Sequence, residues 1–495
     1  MAFPFPRSIA ILLFGAIFAT ASPCDTLADQ FPEQVFFDDD SEYNASISSY
    51  TWVQTQLHPT CIVQPESAED VAQLVKSLGH LNTAFAVRGG GHSVNKGFSN
   101  IDQGVTIDLR KMNTTDLVDL GPAGDGEDGT LEIGPGALWG PVYDYIDPKN
   151  ISVLGGRVYD VGVAGLTTGG GISFFSTERG FVCDGVTNFE VVLSNATVVN
   201  ANATSNVGLF QALKGGQNNF GIVTKFSFLT FKQGPMWGSS ILFSNKSEHD
   251  LLQAVTDHKL APFDSSAMFV AQFLYFLPDQ TRQCVSNIWY LKPDAPKTSL
   301  DQFLSIEPRL NLTESVESAG KQVLHAIQPI PPGTFELWAT TTLRISKTVL
   351  FKLHPLWEAR IDALTEKYGK TNKTIMWAYG FQGMPTASDS NSLGINPAAH
   401  PEESWLNMLG LFQYNDASLT EELQNVVLSF IDEAEKVTKE EGVYEAYKYL
   451  NYAHWKQDIF SGYGKESLER MRKVAKEYDP VAMFQKQVTG GYKLW

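Results

Sequence analysis

Arg88-Gly89-Gly90-Gly91-His92-Ser93 follows the apolar run Thr83-Ala84-Phe85-Ala86-Val87, and together they read as a strand that ends in a ligand loop. Three consecutive glycines let a backbone take positive φ and approach a ligand closely. Arg88 and Ser93 add donors suited to an anion such as a nucleotide pyrophosphate. Alone, the run is equally a Gly-rich surface turn. Two further glycine clusters downstream change its weight.

The first of these is Gly155-Gly156-Arg157, Val161-Gly162-Val163-Ala164-Gly165 and Gly169-Gly170-Gly171, seven glycines in 17 residues. Such density opposes a helix interior and predicts tight turns with close backbone contacts. The second is Leu213-Lys214-Gly215-Gly216-Gln217-Asn218-Asn219-Phe220-Gly221-Ile222-Val223. Around these loops, Ser67 to Asp70 reads as a capping box, with Val71, Leu74, Val75 and Leu78 following at helical spacing. Alternating runs at Gly104–Leu109, Thr130–Ile133, Asn188–Leu193 and Thr224–Phe228 read as strands, and Leu138–Ile146 as a short helix. Residues 24–60 show little periodicity and suggest no chemistry. Beyond about 233 the glycines thin out, and strand-like runs (Met268–Phe276, Glu336–Ile345) alternate with amphipathic helices such as Leu419–Val437. The fold class is α+β, with a boundary near 233/234.

Composition limits what these loops serve. A chain of 495 residues, 43% hydrophobic, suits two domains, and a net charge of -18 without any basic run argues against nucleic acid or an anionic membrane as partner. Arg7, the apolar stretch Ile9–Phe18 and Ala19-Thr20-Ala21 read as a secretory signal peptide over 1–21, too short to span a membrane. Eight sequons, at Asn44, Asn113, Asn150, Asn195, Asn202, Asn245, Asn311 and Asn372, fit a secreted glycoprotein. Of the four cysteines, Cys24 and Cys61 are the expected bridge, and Cys183 is expected buried and inert.

No helical His pair, Cys-x-x-Cys, Gly-x-Ser-x-Gly elbow, Walker loop or Gly-x-Gly-x-x-Gly after the first strand occurs, so no metal site is expected, and hydrolase, NTPase and nicotinamide readings fall. What remains resembles a family: the berberine bridge enzyme-like oxidoreductases, FAD-linked flavoproteins with a p-cresol methylhydroxylase-type FAD domain. Arg88–Ser93 matches its R-G-G-G-H-S, Val161–Gly171 its V-G-x-x-G and following G-G-G, Phe220–Val223 its F-G-I-V, and Tyr449–Tyr452 its late Y-x-N-Y.

The resemblance implies a two-part FAD domain over 22–233 (core about 57–232). A substrate domain over 234–447, with a helix-covered antiparallel sheet, and a segment 448–495 returning to the FAD domain would follow. It implies FAD bonded to His92 and bound by Arg88, Gly89, Gly90, Gly91, Ser93, Val161, Gly162, Gly165, Gly170, Gly171, Gly221, Ile222 and Val223. Many members add a cysteinyl link three residues before the valine of V-G-x-x-G. Val158 stands there, so a single link is expected. The plant-type Glu base has no clear match around Thr386–Asn391, where Asp389 is the only carboxylate. Tyr449 and Tyr452, supported by Asn451 and with Gln413 facing the pocket, are therefore the candidates for proton abstraction. A phenol needs a nearby cation or hydrogen-bond network for that role. The implied function is hydride transfer from a small organic substrate, a secondary-metabolite alcohol or ring-closure precursor, with O2 as final acceptor in a monomeric enzyme. An oligosaccharide oxidase and an FAD-retaining glycoprotein with a binding role are the alternatives.

Overall fold

The computed structural model describes residues 22–277, 279–294, 298–325 and 330–495; the leader read at 1–21, with Ala19-Thr20-Ala21, lies outside them. The glycine-rich opening stretch belongs to a four-stranded sheet with the spatial order Val35–Phe36, Cys61–Val63, Val105–Asp108, Phe85–Arg88. The last three strands are parallel, a pairing that needs a crossover. Helix Ala68–Leu81 supplies it. Ser67 Oγ accepts from Asp70 N and the Asp70 carboxylate from Ser67 N, each at 3.1 Å, and Asn82 stops the helix in the left-handed region. Its fully buried Val71, Leu74, Val75 and Leu78 contribute on the order of 2 kcal/mol each. The expected Cys24–Cys61 disulfide is present and ties helix Pro23–Gln30 to this sheet.

A second, antiparallel sheet runs Thr115–Asp119, Thr130–Ile133, Ile222–Leu229, Val186–Val192, Val198–Asn202. The third glycine loop feeds its central strand. These two sheets form the two parts expected of the FAD domain.

An eight-stranded antiparallel sheet follows, in the order Arg309–Glu317, Met236–Ser244, Thr281–Tyr290, Ala267–Leu277, Ile375–Gly383, Trp405–Tyr414, Phe335–Arg344, Tyr444–Glu445. Period-two alternation divides its faces. Phe273, Tyr379, Phe412 and Leu337 face helices Glu248–Leu260, Val349–Tyr368 and Thr420–Glu440, packing with Trp357 and Phe430. The opposite face carries Gln272, Gly380, Leu409 and Thr340 as one cross-strand row and Trp338, Leu411 and Ala378 as the next. Under the helices Glu248, His354 and Glu358 cluster, but Arg282 bridges both carboxylates, which makes the group an ion-pair network rather than a cation cage.

The chain's end returns to the first and third loops. Val488 bridges Phe85, the Asn95 side chain donates to Ala453 O at 3.0 Å, and the Asn219 side chain donates to Tyr492 O at 2.9 Å.

One expectation fails locally: Val163–Thr168 is a short helix rather than a turn, because Gly165 lies on its exposed side and the remaining glycines fall outside it. Gly170 and Gly171, at φ +103° and +81°, make the turn that follows. Residues 24–60 also prove structured, with helix Ser41–Ser48 and the single turn Val53–Thr55 set against the first loop.

Candidate functional site

The first and second glycine loops cross in direct backbone contact. A Cβ at Gly90 would lie 2.6 Å from Gly162 Cα and N, and one at Gly162 would lie 2.5 Å from Gly90 N. Only paired glycines allow this approach. Gly89 faces Pro135 O and the Ala164 methyl, whereas a Cβ at Gly165 meets nothing within 4 Å. A tight crossing beside an open helix start is a backbone that can cradle an extended dinucleotide, so the residues present fit FAD.

Arg88 is placed differently from a ligand donor. Its guanidinium is fully buried beneath the loop, stacks on Tyr50 at 3.6 Å, donates to Ser46 O at 2.6 Å and Ser49 Oγ at 2.9 Å, and lies 3.8 Å from Asp108. A Cβ at Gly91, φ +83°, would meet that guanidinium at 2.8 Å. Arg88 therefore supports the loop from inside. Gly221 packs against Val191 and Val192, Ile222 and Val223 are buried in the second sheet, and half-buried Val161 accepts from Trp139 N, so these four hold the walls. Ser93 Oγ accepts from Asn95 N at 3.3 Å.

His92 is 19% exposed, with Nε2 3.7 Å from Asp160 Oδ1 and the Trp52 ring edge-on at 5.9 Å. Trp52 Nε1 donates to His92 O at 3.2 Å. Burial lowers the imidazole pKa below its usual range and Asp160 opposes this, so at neutral pH the ring is neutral.

The late tyrosines separate into two roles. Tyr449 is 1% exposed, and burial pushes its phenol above the usual range, with Tyr452 adding to the shift. The Asn451 side chain donates to Tyr449 OH at 3.2 Å and to Leu166 O at 3.0 Å, and a Cβ at Gly169 would strike Asn451 Oδ1 at 2.1 Å. Asn451 thus stitches this turn to the second loop. Tyr452 is half-buried, edge-on to Tyr449 at 4.8 Å and to Trp338 at 5.1 Å. Its hydroxyl accepts from Arg157 NH2 at 3.3 Å, and the same nitrogen donates to Gln382 Oε1 at 2.7 Å. Lys448 points away, to Glu435 at 2.9 Å. Arg157 is the cation that the sequence left unidentified.

Gln413 does not join the tyrosines. It donates to Glu336 Oε1 at 3.2 Å, while Glu336 Oε2 is buried without a partner among the described residues. Gln54 donates to Glu336 O at 2.7 Å and to Val94 O at 3.0 Å, joining this sheet to the first loop. Burial, eased by Trp338 and Gln413, pushes the Glu336 carboxyl up to about 8 from an ordinary 4.5. A carboxyl raised on folding adds stability that is full below the unfolded value and is lost as pH rises through the folded one. Thermal unfolding between pH 5 and 9, roughly the range those values define, should show stability falling toward the alkaline end. Glu336→Gln should flatten that fall, and an unchanged slope would refute the assignment. Arg157, Glu336, Trp338 and Gln382 escape motif reading, though the alternation Glu336-Leu337-Trp338-Ala339-Thr340 marks which side chains share a face.

A family model described as FAD binding domain matches residues 59–202. The FAD-dependent monooxygenase sdcF of Emericella nidulans is 32% identical over 483 residues, covering 95% of this chain and 98% of that protein. Among solved structures, 6-hydroxy-D-nicotine oxidase from Arthrobacter nicotinovorans is similar with TM-score 0.76 at 21% identity, over 91% of this chain and 96% of that one. Glucooligosaccharide oxidase from Acremonium strictum, which carries a 6-S-cysteinyl, 8α-N1-histidyl FAD, matches with TM-score 0.70 at 19% identity, over 95% and 98%.

Proposed function

Because the chain belongs to the berberine bridge enzyme-like family of FAD-linked oxidoreductases, we propose that it oxidises a small organic substrate in the space between the glycine loops and the open face of the eight-stranded sheet. Bound FAD supplies a two-electron acceptor. The observation that carries the reading is the Arg157–Tyr452–Gln382 group on that face. Tyr452, once ionised, takes the substrate proton, and the adjacent guanidinium stabilises the phenolate until the proton neutralises it. Trp338 and Leu411 supply apolar area that positions the substrate and excludes water.

His92 is the residue we assign to a covalent flavin bond. A neutral imidazole keeps a lone pair for bond formation, and Asp160 beside Nε2 leaves Nδ1 as the free nitrogen. Val158 offers no thiolate for a second link. Acid precipitation tests this: wild-type flavin should stay with the pellet and map to the peptide containing His92, whereas His92→Ala should release it. Flavin in the wild-type supernatant would overturn the assignment.

The proposed acceptor for the electrons is O2, with hydrogen peroxide as product. A monooxygenase reading is favoured by the name of the Emericella nidulans relative. Turnover under 18O2 separates the two: peroxide with unlabelled product supports the oxidase, label in the product the monooxygenase. Passage through the secretory pathway is part of the proposal. Seven sequon asparagines are exposed, but Asn202 is half-buried, with Nδ2 donating to Asn188 Oδ1 at 3.0 Å, and is the sequon least suited to carry a glycan. A yellow protein that no alcohol or sugar bleaches anaerobically would instead favour a binding role.

A further inference from the structure

Arg157 uses one nitrogen, Nη2, for both of its protein contacts, and neither acceptor, Gln382 Oε1 or Tyr452 OH, is a carboxylate. Among the described residues its Nε and Nη1 have no hydrogen-bond partner, yet neither is enclosed, and the guanidinium forms no salt bridge. Three other cations near the site each have a carboxylate. Arg88 has Asp108, Arg110 has Asp108 at 2.7 Å, and Lys448 has Glu435. The acid on this sheet face beside Trp338 is Glu336, and its burial keeps it uncharged at neutral pH. A half-buried guanidinium with two open nitrogens and no carboxylate partner among the described residues can still form an ion pair.

We propose that Arg157 is the counter-charge for an oxyanion on the substrate, which makes the substrate class an organic anion, a carboxylate or an acidic phenol or enol, and not a neutral oligosaccharide. The proposal rests on the substrate site assigned above. The oxyanion sits on the open donors of Arg157, next to Tyr452, and the Trp338 ring packs the apolar body of the molecule. The protein's net charge of -18 gives no long-range attraction for such a ligand, so its affinity depends on this one contact. Screening over about 8 Å at physiological salt leaves that local pairing intact.

Calorimetric titration of the purified yellow protein with benzoate and with benzamide, its neutral isostere, tests the idea. Benzoate should bind about 10-fold or more tightly than benzamide, and Arg157→Gln should weaken benzoate by about 10- to 100-fold while leaving benzamide unchanged. Arg157→Lys should retain part of the benzoate affinity, and it replaces the Gln variant if that one fails to fold. Sulfite titration of the flavin band provides the second arm, and Arg157→Gln should leave sulfite affinity unchanged. Equal binding of benzoate and benzamide, an unaffected Gln variant, or a proportional loss of sulfite affinity would overturn the proposal, the last by giving the charge to the flavin. A colourless wild-type protein that still binds benzoate through Arg157 would instead refute the flavin-enzyme reading and spare this one.

Discussion

Tyr452→Phe is expected to lower kcat about 100-fold or more, with little change in KM, because removal of a positioned acid–base group typically costs 10²–10⁴-fold in rate. The phenol oxygen of Tyr452 is the one that meets Arg157, and its ring lines the same space as Trp338. Tyr449→Phe should behave otherwise. That hydroxyl is buried, is kept protonated by burial, and accepts from an asparagine whose second bond holds the glycine turn. Its loss should cost about 1 kcal/mol of stability and leave kcat nearly intact. Steady-state kinetics on both variants decides between them. A larger loss of kcat in Tyr449→Phe would reverse the assignment.

Gly90→Ala is expected to destabilise the protein by about 3 kcal/mol and strip it of flavin, since the added methyl meets backbone atoms of Gly162 at 2.6 Å and neither loop has a side chain that can yield. Gly165→Ala is the control. Its Cβ enters open space and its helical φ suits alanine, so the fold should be unharmed. Differential scanning calorimetry and the ratio of flavin to protein absorbance give the two readouts. Equal melting temperatures for Gly90→Ala and wild type would show that the crossing can open without cost, which would remove it as the basis of the cofactor cradle.

Local patterns in the chain expose much of this architecture. Val71, Leu74, Val75 and Leu78 at helical spacing, opened by Ser67 and Asp70, form the predicted helix over 68–81. The alternation in Met268–Phe276 and Glu336–Ile345 gives strands of the large sheet at 267–277 and 335–344. The cysteine pairing also follows. Density of glycine misled at Val163–Thr168, because a helix of six residues can place one glycine on its solvent side without losing its packing. Low periodicity likewise hid Trp52 and Gln54, whose contacts with His92 O, Val94 O and Glu336 O depend on partners far away in the chain.

By itself, then, the sequence located the features legible within a short motif: the glycines that pair across two loops, the histidine beside them and the tyrosine turn. Conformational freedom and side-chain chemistry are local properties and can be read where they stand. Only the tertiary structure decided what charge each group meets. Arg88, which looked suited to an anion, is taken up by Asp108 beneath the loop. Arg157, which the sequence showed only as part of a glycine cluster, meets no carboxylate among the described residues and stands beside Tyr452, 295 residues along the chain. Electrostatic partnership is set by distances across the fold, and those exist only once the three sheets have packed.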